Sequence, residues 1–194
     1  MGCLGPSSEN AMMHSSHYCA RRVLLHWLSA VIILWALVSG FYVAYYPVSA
    51  ATEHWVGSLN VSLTTLFIPL FAWRLWLFVG ALQTREPTPS VIHRLALAVH
   101  ASIYLVIGVV LVTGVLMMKS AISVFGLFQL PQPLDDPALI DWANAAHVVS
   151  CAVLSLLIVL HLCAVAWHEF SGRRVVRRMS FARQPDAPVQ RSPR

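Results

Sequence analysis

WANAAHVVSCAVLSLLIVLHLCAVAW, residues 142–167, decides the fold class. It runs for 26 residues without Asp, Glu, Lys or Arg, and about 20 apolar residues let a helix cross the hydrocarbon core of a bilayer. Three more stretches read the same way. Residues 23–46 and 95–118 are 24-residue runs with no charge, and residues 56–82 form a 27-residue run whose single charge is Arg74. The expectation is an all-α integral membrane protein whose four transmembrane helices, at about 23–46, 56–82, 95–118 and 142–168, make one bundle over residues 21–170.

The whole chain agrees with its parts. Of 194 residues 58% are hydrophobic and 11% charged, and the mean hydropathy is +0.68. Soluble domains carry roughly 25% charged residues, so this composition excludes a soluble globule, and it equally excludes a disordered chain. The net charge of +5 does not signal nucleic acid, because the basic residues flank the apolar runs. Cys3, Cys19, Cys151 and Cys163 show no metal or disulfide spacing and read as small packing residues. No dinucleotide or phosphate-loop fingerprint is present, so direct use of NADH is not expected.

Topology follows from the arginines. Arg21 and Arg22 precede the first run, Arg85 and Arg94 lie in the second connection, and seven arginines follow Gly172. The first connection has no Lys or Arg, and the third sets Lys119 against Asp135, Asp136 and Asp141. Both termini are therefore expected in the cytoplasm of a bacterial cell, with the protein multi-pass in the inner membrane. The first run is too long for a cleavable signal peptide and is expected to stay in the mature chain. Residues 1–20 read as disordered, with Met12 or Met13 as an alternative start, and residues 171–194 as a basic cytoplasmic tail. Pro69 is expected to kink the second helix, and residues 86–89 and 130–137 read as loops.

The informative chemistry is histidine inside the membrane. His26, His100, His147 and His161 all lie within apolar runs, where ionisable groups are costly and mark function. A separation of 14 residues turns a helix to about 40° short of four full turns and rises about 21 Å. His147 and His161 therefore share one helix face, one near each side of the bilayer. His26 matches His161 in depth on the cytoplasmic side, and two facing imidazoles at one depth suit the iron of a haem. Proton or ion transport through a histidine relay is the competing reading, and a haem-free membrane anchor subunit is a third.

Arg22-Val-Leu-Leu-His26-Trp-Leu, His100-Ala-Ser-Ile-Tyr104, Gly114-Val-Leu-Met-Met118, Val124-Phe-Gly-Leu-Phe128, the His147–His161 pair and Arg177-Arg-Met179 occur in this order over residues 21–180. Together they resemble the bacterial cytochrome b561 and nickel–iron hydrogenase cytochrome b family. The resemblance implies a four-helix cytochrome with one or two b haems. It further implies one-electron transfer between a quinone pool, ubiquinone or menaquinone, and a donor or acceptor at the periplasmic face. That partner is a redox protein or superoxide, which some members oxidise.

The resemblance also sets site residues. His26, His161 and His147 are the implied iron ligands, while Arg74 is placed either to pair with a haem propionate or to snorkel to the interface. His100, with His93 and His168, is a candidate for the quinone. In the family the second helix carries a haem-ligating histidine fourteen residues before an arginine; here Asn60 occupies that register. His54, six residues upstream, would face about 120° away and sit about 9 Å along the axis, so it reaches the site only if the start of the helix bends. Met117 and Met118 end the third helix at this depth. An outer-half haem held by His147 alone or with a weak sixth ligand, one recruiting His54, and an empty site all stay open.

Overall fold

The computed structural model describes residues 9–83 and 91–172. Four helices span them: α1 (Glu9–Tyr45), α2 (Ala50–Gln83), α3 (Val91–Leu116) and α4 (Pro137–Phe170), with a two-stranded hairpin, β1 (Ile122–Val124) and β2 (Phe128–Leu130), between α3 and α4. All four helices are long and apolar enough to cross a membrane. Their outer faces carry large apolar side chains such as Val31, Val38, Leu105 and Leu156, the surface a bilayer requires. Buried between them are the small hydroxyl residues Ser29, Ser39, Ser62 and Thr113, which let helices approach closely and bond their own hydroxyls inside.

Each helix outruns its apolar stretch because local chemistry extends it. α2 starts at Ala50 since Ser49 caps it, its Oγ accepting from Thr52 N at 3.2 Å. α4 starts at Pro137, where the Asp136 carboxylate accepts from Ala138 N at 2.8 Å and proline takes the first helical position. α1 begins at Glu9, so residues 9–20 are helical where the sequence suggested disorder. Once the membrane span is formed, each further residue costs little to add, and residues 9–20 contain neither proline nor glycine. α2 continues through Pro69 without a break. The loop at 86–89, residues 1–8 and the tail beyond Gly172 lie outside the described residues.

A core of Phe67, Phe71, Ile107, Leu111 and Leu154 fills the middle of the bundle. It separates two polar levels. One is at the end where α1 starts and α4 finishes, here called the termini end. The other is toward the hairpin.

The hairpin is the element the apolar runs did not announce. Its strands pair antiparallel, with Val124 opposite Phe128. Phe125 and Gly126 turn the chain with φ of 50° and 72°, the left-handed region that costs a non-glycine residue energy. A single buried hydroxyl holds this turn: Ser62 Oγ of α2 accepts from Phe125 N at 2.9 Å and donates to Ser123 O at 3.3 Å. Ile122 and Val124 are buried beside it, so the hairpin closes one end of the bundle.

Removing that hydroxyl strands Phe125 N–H in a half-buried place. Ser62→Ala is expected to destabilise the protein by about 1–3 kcal/mol, read as a lower Tm in detergent and faster proteolysis within residues 119–131. An unchanged Tm and cleavage pattern would show that the hairpin does not depend on the bond.

Candidate functional site

α1 packs chiefly on α2, and α3 chiefly on α4. The bundle is thus two walls, each a helix pair, and the functional side chains come from both walls at two depths.

At the termini end all four helices contribute. His26 of α1, Arg74 of α2, His100 and Tyr104 of α3 and His161 of α4 form one cluster in which His26, Arg74, His100 and His161 lie within electrostatic reach of one another. Arg74 is half-buried and turned inward. Its Nε donates to Tyr104 Oη at 2.9 Å, its Nη2 lies 2.8 Å from His26 Nδ1, and its carbon sits 5.5 Å from the centre of the Tyr104 ring. Phe78 stacks on that tyrosine at 4.5 Å. His100 Nδ1 donates to Ala96 O at 2.6 Å, and its ring meets that of His161 edge to face at 5.2 Å.

The electrostatics of this cluster are one-sided. The four apolar runs contain Arg74 and the histidines but no Asp or Glu, so a guanidinium stands in the apolar layer with only neutral acceptors around it. Buried charge of that kind calls for an anion. A guanidinium only donates, so His26 Nδ1 is the acceptor and its proton sits on Nε2. Binding iron through Nε2 needs the opposite tautomer. The Arg74–His26 bond and an iron bond at Nε2 therefore exclude each other, and losing His26 leaves Arg74 with donors free for a carboxylate.

At the hairpin end the walls part around a cavity of about 360 Å3, within the usual range for small-molecule and cofactor sites. His147 of α4 and Asn60 of α2 both line it. His147 Nδ1 lies 3.1 Å from Val110 O and 3.3 Å from Thr113 Oγ1. A carbonyl can only accept, so Nδ1 carries the proton and Nε2 keeps its lone pair, the arrangement typical of a metal-ligating histidine. Cys151 Sγ is 3.5 Å from that Nε2. Asn60 lies 3.0 Å from Ser39 Oγ, whose own proton goes to Trp35 O at 2.7 Å.

Glycines make the room. A Cβ at Gly114 would stand 3.1 Å from His147 Cε1, and one at Gly40 would come 4.0 Å from Asn60 Nδ2. Ser39, Gly40, Thr113 and Cys151 were not singled out as site residues from the sequence; small residues within an apolar run were the only signal. His54 is exposed on the second turn of α2, which is regular helix from Ala50, and it is absent from the cavity lining. His168 is half-buried near the end of α4. His93 stands on the first turn of α3, and its side chain lies outside the described residues.

Among the described residues no group of three or more His, Cys, Asp or Glu is placed to hold a bare metal ion. At the termini end His26 comes from one wall and His100 and His161 from the other, and imidazoles on facing walls suit iron that already has four in-plane donors. Residues 17–182 match the family described as prokaryotic cytochrome b561. The chain belongs to that family. It is a multi-pass protein of the inner membrane, a b-type cytochrome in electron transfer that binds haem b. Among curated proteins no match to the chain is found. Membership sets aside the transporter and the haem-free anchor, and the apolar core between the two polar levels gives a proton relay no polar path. The residues of the termini-end cluster fit a haem: an imidazole on each wall for the iron, and a guanidinium for a propionate.

The close approach at Gly114 is testable without any cofactor. Gly114→Ala is expected to cost about 1–3 kcal/mol by crowding His147, whereas Gly80→Ala, whose Cβ meets nothing within 4 Å, should be neutral or stabilising. Equal Tm values for the two variants would remove Gly114 from the architecture of the site.

Proposed function

We propose that this cytochrome carries electrons one at a time between a membrane quinone, ubiquinone or menaquinone, at the termini end and a donor or acceptor at the hairpin end. The termini are cytoplasmic and the hairpin periplasmic, as the flanking arginines indicate. His26 and His161 would hold the iron of a termini-end haem, and His147 would supply an iron ligand at the hairpin end. The observation that carries the reading is that His26 of the α1–α2 wall and His161 of the α3–α4 wall lie within electrostatic reach of each other, beside an Arg74 that contacts His26 at 2.8 Å.

Bound iron supplies the one-electron chemistry by cycling between its ferric and ferrous forms. The chain supplies the rest. The two walls fix the imidazoles at one level, and the Tyr104 hydroxyl and ring hold Arg74 in place. Arg74 offers its charge to a propionate once it leaves His26. The core of Phe67, Phe71 and Leu154 keeps water from passing between the two levels.

His100 Nε2 is left free by the bond of Nδ1 to Ala96 O, and the ring is exposed at the lipid-facing edge while touching His161. A quinone head group lying in the membrane meets this edge first, with His168 and His93 on neighbouring helix ends. The donor or acceptor at the periplasmic face is a redox protein or a small oxidant or reductant such as superoxide.

His26→Ala and His161→Ala are each expected to remove the low-spin signal of the termini-end haem from the reduced spectrum, with loss of about one haem per chain. Full haem content and an unchanged low-spin band in either variant would refute the ligand pair. For the quinone edge, the combined variant His100→Ala/His168→Ala should slow reduction by a quinol analogue at least tenfold in stopped flow while keeping haem content. An unaltered rate moves the quinone elsewhere.

A further inference from the structure

The cavity at the hairpin end is chemically lopsided. Its α3–α4 wall presents His147, tautomerically set by Val110 O so that Nε2 is the basic nitrogen. The other sulfur and nitrogen groups lining the cavity from that half are Asn144 and Cys151, one turn before and one turn after His147 on α4, and Met117 and Met118 just past the end of α3; none belongs to the α1–α2 wall opposite.

The α1–α2 wall offers no imidazole and no sulfur. Thr64 and Thr65 spend their hydroxyls on the carbonyls of Asn60 and Val61, each at 2.7 Å. Tyr45 sits at the mouth, 75% exposed. What remains is Asn60, 3.0 Å from Ser39 Oγ; the one proton of that hydroxyl goes to Trp35 O at 2.7 Å, so Asn60 meets Ser39 through its amide N–H and the wall has only a carboxamide oxygen left. A neutral carboxamide oxygen is a much poorer ligand to haem iron than an imidazole. Gly40 beside Asn60 adds no side chain, and a Cβ there would already touch the carboxamide at 4.0 Å.

We infer that the hairpin-end cavity is a small-ligand site: His147 is the one protein ligand to a haem there, and the face opposite it, where Asn60 stands in place of an imidazole, is open to a neutral diatomic molecule of the carbon monoxide class. This rests on the haem-binding reading given above. Such a molecule would bring the lone pair of the bond itself and reduced iron would return electron density to it, so binding would be reversible and would need no co-reactant. The wall opposite His147 thus leaves the site open, where an imidazole would close it.

The test uses the full chain purified in detergent, with haem per polypeptide and the carbon monoxide difference spectrum of the reduced protein as readouts. The expectation is two haems per chain, one responding to carbon monoxide. His147→Ala removes the responding haem alone. Asn60→His keeps haem content, abolishes the response and adds a second low-spin signal. Asn60→Leu, which tests the same point should the histidine variant fail to fold, keeps both haems and the carbon monoxide response.

One haem per chain, two haems without a carbon monoxide response, or a response abolished by Tyr45→Phe would each overturn the inference. Loss of a haem in Asn60→Leu would make Asn60 itself an iron ligand and overturn the single-ligand site. These failures leave the His26–His161 haem standing, whereas a purified protein with no haem at all overturns the broader reading.

Discussion

Basic side chains without an acidic partner in an apolar layer impose the constraint on which the rest depends. Arg74 is the one charged residue in the four runs, and the fold brings His26, His100, Tyr104 and His161 around it from the other three helices. Neutral acceptors can take hydrogen bonds from a guanidinium but cannot cancel its charge. An iron porphyrin answers both needs of this place at once, by giving the imidazoles a metal and Arg74 a carboxylate. The same contact that satisfies His26 without the cofactor also puts its proton on the wrong nitrogen for ligation. Binding is therefore an exchange of partners within a standing framework.

The framework itself comes from hydroxyls, glycines and phenylalanines. Phe67, Phe71 and Leu154 separate the two levels, and Gly108 leaves just enough space for Phe71, whose ring a Cβ there would meet at 3.8 Å. Gly40 and Gly114 open the other level beside Asn60 and His147. Ser62 holds the hairpin over the end. In hydrocarbon such small contacts do the work that hydrophobic burial does in water, because a lipid tail is as apolar as a leucine.

Much of this was legible in the residues. The runs that contain His26, Arg74, His100 and His161 mark the four helices in their places though short of their full lengths, and the 14-residue spacing in α4 puts His147 and His161 at two depths on one face. The ends were less legible, since Ser49 and Asp136 extend α2 and α4 by capping that no hydropathy pattern records. The hairpin was unreadable because Ser62, which fixes its turn, is far away in sequence and looks like any small residue in an apolar run. His54 shows the same limit from the other side: its reach depended on whether the start of α2 bends, and regular helix from Ala50 keeps it exposed. The contact between Arg74 and His26 spans two helices and could not be chosen from sequence over snorkelling.

The central claim is that one imidazole from each wall binds the same iron. Electron–nuclear hyperfine spectroscopy of the oxidised wild-type protein, grown with 15N-histidine, tests it directly. The account predicts a low-spin ferric centre coupled to two labelled imidazole nitrogens, in addition to the unlabelled nitrogens of the macrocycle. A low-spin centre coupled to one labelled nitrogen or to none would contradict it.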